Sequence, residues 1–225
     1  MKNFNIGIYL LFLLILNYAP ARSQNTGGWF GIEMKYDLPK GFSAELEGEM
    51  RTDFTYGFVV DQFFPQAGLS YKINKHFDVS GAYRFIQKRE NNGYYYNRNK
   101  YMFNLMTDFT VERFILKNRI RYQTQVKQYI DDELDAVPDK YIRDKFEIAY
   151  NIKNTPVEPY VSIEVFYPLN QFEINTINEL RICGGVDVPV AKKQSVNISL
   201  MYNKERFTRI NESYIVCLGY SFSVN

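Results

Sequence analysis

Acid–base and nucleophilic chemistry needs a base beside a nucleophile, and this sequence offers few candidates. A single histidine, His76, stands among 225 residues. It follows Asn74 and Lys75 in a stretch that reads as a short turn, so it is assigned as a turn residue and not as a catalytic base. One histidine also excludes a multi-histidine metal site. Asp131, Asp132, Glu133, Asp135 and Asp139 form the densest acidic run. They lack the glycine and terminal glutamate of a formal calcium loop, and are read as a solvated loop. Cys183 and Cys217 fall on segments separated by one other strand, which sets them about 9 to 10 Å apart at ordinary strand spacing, too far for a disulfide. Both are expected as free thiols. What remains is Glu45, Glu47 and Glu49, whose two-residue spacing puts three carboxylates on one strand face. A lipid- or peptide-modifying enzyme could be built on paired carboxylates, but no nucleophile with a base accompanies them. The chain is therefore read as a non-enzyme, with no catalytic residue, metal or cofactor assigned.

The spacing of those glutamates continues along the chain. From Phe42 to Asp53, Phe42, Ala44, Leu46, Gly48 and Met50 share one parity, against Ser43, Glu45, Glu47, Glu49 and Arg51. From Arg113 to Lys127, Leu116, Ile120, Tyr122 and Val126 oppose Lys117, Arg119, Arg121, Gln123, Gln125 and Lys127. From Tyr141 to Ile152, Ile142, Phe146, Ile148, Tyr150 and Ile152 oppose Arg143, Lys145, Glu147 and Asn151. A helix would scatter these sets around its cylinder, whereas a strand collects them on two faces.

The opening MKNFNIGIYLLFLLILNYAPARS has an early lysine, an apolar stretch from Ile6 to Leu16 and small residues before Gln24. That is the layout of a secretory signal peptide (1–23), too short in its apolar part for the ~20 residues of a spanning helix. The mature domain is then 24–225. Without Lys2 and Arg22 its basic and acidic side chains balance at 25 each, which argues against a nucleic-acid partner held by bulk charge. Aromatic residues make up 17% of the chain, which rules out a disordered tail.

Eleven strands are predicted, at roughly 29–37, 42–53, 62–73, 76–88, 97–110, 113–126, 140–152, 157–168, 176–188, 194–204 and 212–224. Many reach the ~9 to 11 residues that a tilted strand needs to cross a bilayer. Connections alternate between short turns and longer polar loops, the layout of an all-β, antiparallel transmembrane barrel with short periplasmic turns and long outer loops. Bacterial single-chain barrels have even strand numbers, so the expectation within a range of ten to twelve is an even count, twelve before ten. The competing architecture, a secreted sandwich, would use strands of ~5 to 6 residues. Aromatics at strand ends, among them Trp29, Tyr36, Tyr71, Phe77, Tyr101, Phe109, Tyr150, Tyr167, Tyr202, Tyr214 and Tyr220, are expected as interfacial girdles. The charged parity then faces the lumen. Glu45, Glu47, Glu49, Arg51, Arg84, Arg119, Arg121, Arg143, Lys145, Glu147, Glu164 and Arg181 are expected there as a network of mutually satisfied charges.

The segments WFGIEMKYDL, AELEGEMR, GAYRF, RIRYQTQ, YIRDKFEIAY and PYVSIEVFY resemble the domain-of-unknown-function 2490 family of outer-membrane barrels from the Bacteroidota. The resemblance spans nearly the whole mature chain. It implies the fold and the cell outer membrane, and carries over no catalytic or ligand-binding residue. Partners are expected to be outer-membrane lipid and lipopolysaccharide, the barrel-insertion machinery during biogenesis, and a protein or glycan met by the outer loops, the Asn91 to Tyr96 loop among them. Three roles follow in order: a structural or interaction protein with a charge-paired lumen, a narrow porin-like channel for small solutes, and a membrane enzyme.

Overall fold

A computed structural model describes residues 25–55, 57–130, 136–170, 177–206 and 210–224. The signal-peptide reading of 1–23 and four of the five acids in the run at 131–139 lie outside the described residues. Among those residues the chain forms eleven strands: β1 (Asn25–Asp37), β2 (Phe42–Asp53), β3 (Val59–Lys72), β4 (Phe77–Arg89), β5 (Tyr95–Val111), β6 (Phe114–Lys127), β7 (Asp139–Tyr150), β8 (Glu158–Pro168), β9 (Glu179–Ala191), β10 (Gln194–Arg206) and β11 (Ile210–Val224). Each pairs antiparallel with the next, and the sheet closes on itself where β1 meets β11. Closure leaves no sheet edge, so every strand can complete its backbone hydrogen bonds within the wall.

The expectation of an even count fails, for a topological reason. With every short turn at one rim, β1 starts at the long-loop rim, and after ten reversals β11 runs the same way. The two pair in parallel, from Asn25 opposite Ser213 to Tyr36 opposite Val224. A parallel ladder satisfies the backbone with slanted, evenly spaced bonds, and parity does not prevent closure. At the middle of this seam Gly31 lies opposite Gly219.

The short turns reverse the chain over few residues by using left-handed backbone: Glu112 (φ 53°) between β5 and β6, Lys193 (φ 62°) between β9 and β10, and Lys40 with Gly41 (φ 62° and 82°) between β1 and β2. Asn74 sits in the β3–β4 turn and accepts from the amides of His76 and Phe77. His76 is a turn residue, as its spacing indicates; its Nδ1 lies 2.8 Å from the Asp108 carbonyl and its ring stacks on Phe109.

The alternation turns the molecule inside out relative to a soluble domain. The buried apolar side chains Phe64, Ile86, Met102, Ala149, Phe166, Met201 and Ile215 all take the lumen parity. The outward parity is mostly apolar and exposed, as at Phe103 (63%) and Val161 (60%), with Asn118 donating to Asp144 as a polar exception. Exposed aliphatic side chains around a closed wall are stable only against hydrocarbon. Outward aromatics gather toward the rims, with Phe42 against Tyr71 (4.7 Å) and Phe114 against Tyr150 (5.0 Å) at the short-turn end. Tyr202 meets Tyr214 (5.4 Å) toward the other. Trp29, expected in these girdles, instead shares the inward parity of Glu33 and lies in the lumen.

The seam generates a direct test. Cysteines placed at Ile32 and Tyr220, outward partners across it, in a Cys183→Ser, Cys217→Ser background, are expected to cross-link on mild oxidation in most folded molecules. A control pair displaced along β11, Ile32 with Val216, is expected to remain reduced. Mass spectrometry of the digest reads the bond, and equal cross-linking of both pairs contradicts the parallel register.

Candidate functional site

All twelve charges expected in the lumen lie on inward-facing positions of β2, β4, β6, β7, β8 and β9, and the structure shows how they combine. Glu164 on β8 is the hub. Its two oxygens accept from Arg119 Nη2 (2.7 Å) and Arg143 Nη2 (2.8 Å), with Arg181 Nη1 4.0 Å away. Glu147 is shared by Lys117 (3.2 Å) and Lys145 (2.7 Å). Glu47 receives Arg84 across the intervening β3 (3.3 Å), with Gln66 of β3 bonding both (2.8 Å each). Glu49 holds Arg51 (2.5 Å) on its own strand, and Arg181 is held likewise by Glu179 (2.6 Å). Glu45 accepts from the Ser70 hydroxyl (3.3 Å) and forms no ion pair among the described residues. The three glutamates of β2 are thus separate acceptors, each engaged by a different donor.

Arg121 stands apart. It is 9% exposed, its Nε donates to Asn104 Oδ1 (2.6 Å), and no carboxylate pairs with it among the described residues.

Three inward aromatics join the arginines into a stack. Arg84 lies 3.7 Å from the Phe64 ring centre and Arg51 5.1 Å from the same ring. Arg51 also covers Trp29 at 3.6 Å, and Arg181 approaches Trp29 at 5.0 Å. Arg181 and Arg143 then flank Phe166 at 4.6 and 4.1 Å. Four guanidinium groups and three rings alternate without a break, and the step from Trp29 on β1 to Arg181 on β9 passes across β11 and β10. Guanidinium suits this role because it is planar, weakly hydrated and always charged. Each desolvated cation–π contact contributes on the order of 1 to 2 kcal/mol.

Trp29, Arg51 and Arg181 line two cavities at once, one of about 390 Å³ toward the long-loop rim and one of about 450 Å³ at mid-lumen, and so stand between them. Close packing on the wall supports this arrangement. A Cβ on Gly185 would meet Tyr160 Cζ at 2.9 Å and Ser199 Cβ at 2.4 Å, so only glycine lets the Tyr160 ring lie over β9, where its hydroxyl bonds Asn197. Cys183 lies beside Tyr160, and both cysteines are free thiols.

The sequence reading missed the aromatic half of this stack. A signal for it was present: Phe64 shares the parity of Gln62 and Gln66, Phe166 that of Glu164, and Trp29 that of Glu33 and Lys35. Neutral amides were missed too. Gln66, Asn104 and Gln123 spread the arginine donors onto acceptors that carry no charge.

A closed wall, a mostly apolar outer face and a polar lumen define an outer-membrane β-barrel. The chain belongs to the DUF2490 family: the model of this family, described as protein of unknown function, matches residues 26–213. No curated protein matches the sequence. Among solved structures it resembles a bacterial polysaccharide outer membrane secretin, at 10% identity and a TM-score of 0.55, covering 81% of this chain and 64% of that one. The chain thus spans less than two thirds of the secretin's length. It also resembles the β domain of the Bordetella autotransporter BrkA, at 12% identity and a TM-score of 0.51, covering 80% and 82%. At these identities the likeness is one of fold.

The hub sets the expected cost of its loss. Glu164→Gln leaves Arg119, Arg143 and Arg181 without their shared counter-charge and should lower stability by about 3 to 5 kcal/mol, the range for breaking a buried ion pair. Glu45→Gln, which breaks no ion pair, should change it by less than about 1 kcal/mol. Urea midpoints read from the heat-modifiable gel band compare the two.

Proposed function

We propose that this barrel, from the Bacteroidota as the sequence resemblance implies, is a non-conducting structural or interaction protein whose outer loops contact a protein or glycan. The observation that carries this reading is the arginine–aromatic stack between the two lumen cavities. Parting it would separate guanidinium groups from both rings and carboxylates, which a passive pore has no means to drive.

The long-loop rim supports the second half of the reading. Tyr94 (70%) and Phe58 (68%) are among the most exposed aromatics of the molecule, and both sit in connections at that rim. The scaffold under them is built: Tyr95 Oη donates to the Val60 carbonyl (2.6 Å), Tyr96 stacks on Tyr129 (4.1 Å), and Glu90 pairs with Arg98. Aromatic side chains held on fixed supports are the type that dominates contact surfaces. A role without catalysis is supported by the engagement of Glu47 and Glu49 in ion pairs. Lipid and lipopolysaccharide surround the wall in this setting, and the insertion machinery meets it during assembly.

A narrow channel is the second reading, favoured by the fact that the two cavities lie end to end within one lumen. Planar-bilayer recording separates the readings. The protein should insert without producing current steps, and Trp29→Ala with Arg51→Ala should produce them by joining the cavities. Steady steps from the unaltered protein, with a selectivity shifted by Arg119→Glu and Arg121→Glu, would place it in the pore class instead.

A further inference from the structure

Seven cations and six carboxylates line the mid-lumen cavity, and their placement leaves one of the cations, Arg121, without an ion pair among the described residues. Three cross-strand neighbours on successive strands are of like charge: Arg84 opposite Lys100, Arg119 opposite Lys145, and Arg121 opposite Arg143. Like charges directly opposite destabilise a sheet, and here Arg84, Arg121 and Arg143 are also buried from water. Glu47, Glu147 and Glu164 compensate Arg84, Lys145 and the Arg119–Arg143 pair. Arg121 and Lys100 form no ion pair among the described residues; the carboxylate nearest in effect to Arg121, Glu164, has its oxygens taken by Arg119 and Arg143. The Nε groups of Arg119 and Arg143 are buried with no acceptor at all. Arg121, nine-tenths buried, lines the cavity together with Arg119 and Arg143.

We propose that this wall of β6 and β7, centred on Arg121 with Arg119 and Arg143 beside it, binds the oxyanion of a small phosphate- or carboxylate-bearing ligand. An oxyanion supplies what the wall lacks: a counter-charge for Arg121 and acceptors for guanidinium donors, in the planar geometry arginine recognises. The cavity's volume of about 450 Å³ suits a small solute or a single headgroup. Glu33 and Asp187 line the same cavity. They repel a bulky polyanion and confine the bound oxyanion to the cationic wall. These two and Glu147 lie within a few residues of the short-turn ends of β1, β9 and β7, so the ligand enters from that mouth, below the stack. The site does not depend on whether the lumen conducts, and its test does not read current.

Trp29 is the only tryptophan of the chain and borders the cavity, so its fluorescence reports occupancy. The whole chain, exported and extracted in an uncharged detergent, is titrated with inorganic phosphate and with succinate at constant ionic strength against chloride, and separately with phosphatidylglycerol in mixed micelles. The site predicts a saturable fluorescence change and a raised unfolding temperature with at least one of these probes. A response to phosphate or succinate identifies a soluble ligand, and a response to phosphatidylglycerol alone identifies a lipid headgroup. Arg121→Gln should weaken the response about tenfold or more, the loss of one charge-assisted bond, while Arg121→Lys retains part of it. Because Arg121→Gln also removes a like-charge neighbour, it should unfold at an equal or higher temperature than the unaltered protein when no oxyanion is present. Absence of saturation with all three probes overturns the proposal. So does an Arg121→Gln variant that responds undiminished, or that is destabilised without ligand, since Arg121 would then be a structural charge.

Discussion

Hydrocarbon offers no hydrogen bonds, so every amide and carbonyl of a strand within it must be paired inside the wall. That constraint orders the rest of this molecule. It forces the sheet to close, and closure with eleven strands forces β1 and β11 to run side by side in the same direction. It also fixes the alternation, because a strand whose two faces meet lipid and lumen has only two places to put a side chain. The apolar parity meets the bilayer, and most of the charge is gathered into a tube narrow enough for side chains from distant strands to touch.

Gathering charge into such a tube has a cost, since each ion loses much of its hydration. The lumen offsets that cost in three ways. Carboxylates sit where they reach several cations, as Glu164 does from β8 to β6, β7 and β9. Amides such as Gln66 and Gln123 take the donors that carboxylates do not. Rings fill the space between guanidinium planes, so Phe64 and Phe166 serve at once as the apolar core and as partners for arginine. The same side chains that stand between the two lumen cavities are therefore those that make its charges tolerable.

Much of this was legible in the sequence because a period of two is unambiguous over twelve residues. The run from Phe42 to Asp53 names both faces of β2, and the strand positions read from such runs agree with the structure to within a few residues. What was not legible depends on geometry beyond one strand. The pairing of Glu47 with Arg84 skips β3, and the sharing of Glu164 by three arginines depends on the stagger of four strands. Neither follows from spacing. Residue type points Trp29 to the girdle, whereas the parity it shares with Glu33 and Lys35 points it inward, and the structure follows parity. The even count failed because it took the closing pair to be antiparallel, like every pair joined by a turn.

The seam also bears on how such a wall can change over time. A barrel grows or shrinks most readily by whole hairpins, since a hairpin brings its own turn and leaves the directions of all other strands unchanged. Each such step adds or removes two strands. A wall of eleven can reach nine or thirteen in this way but not ten or twelve, and the like-directed pair between first and last strand survives every step. Strand parity is in that sense inherited more rigidly than strand number: to lose it, the chain would have to gain or shed a single strand, and carry one of its ends to the opposite side of the membrane.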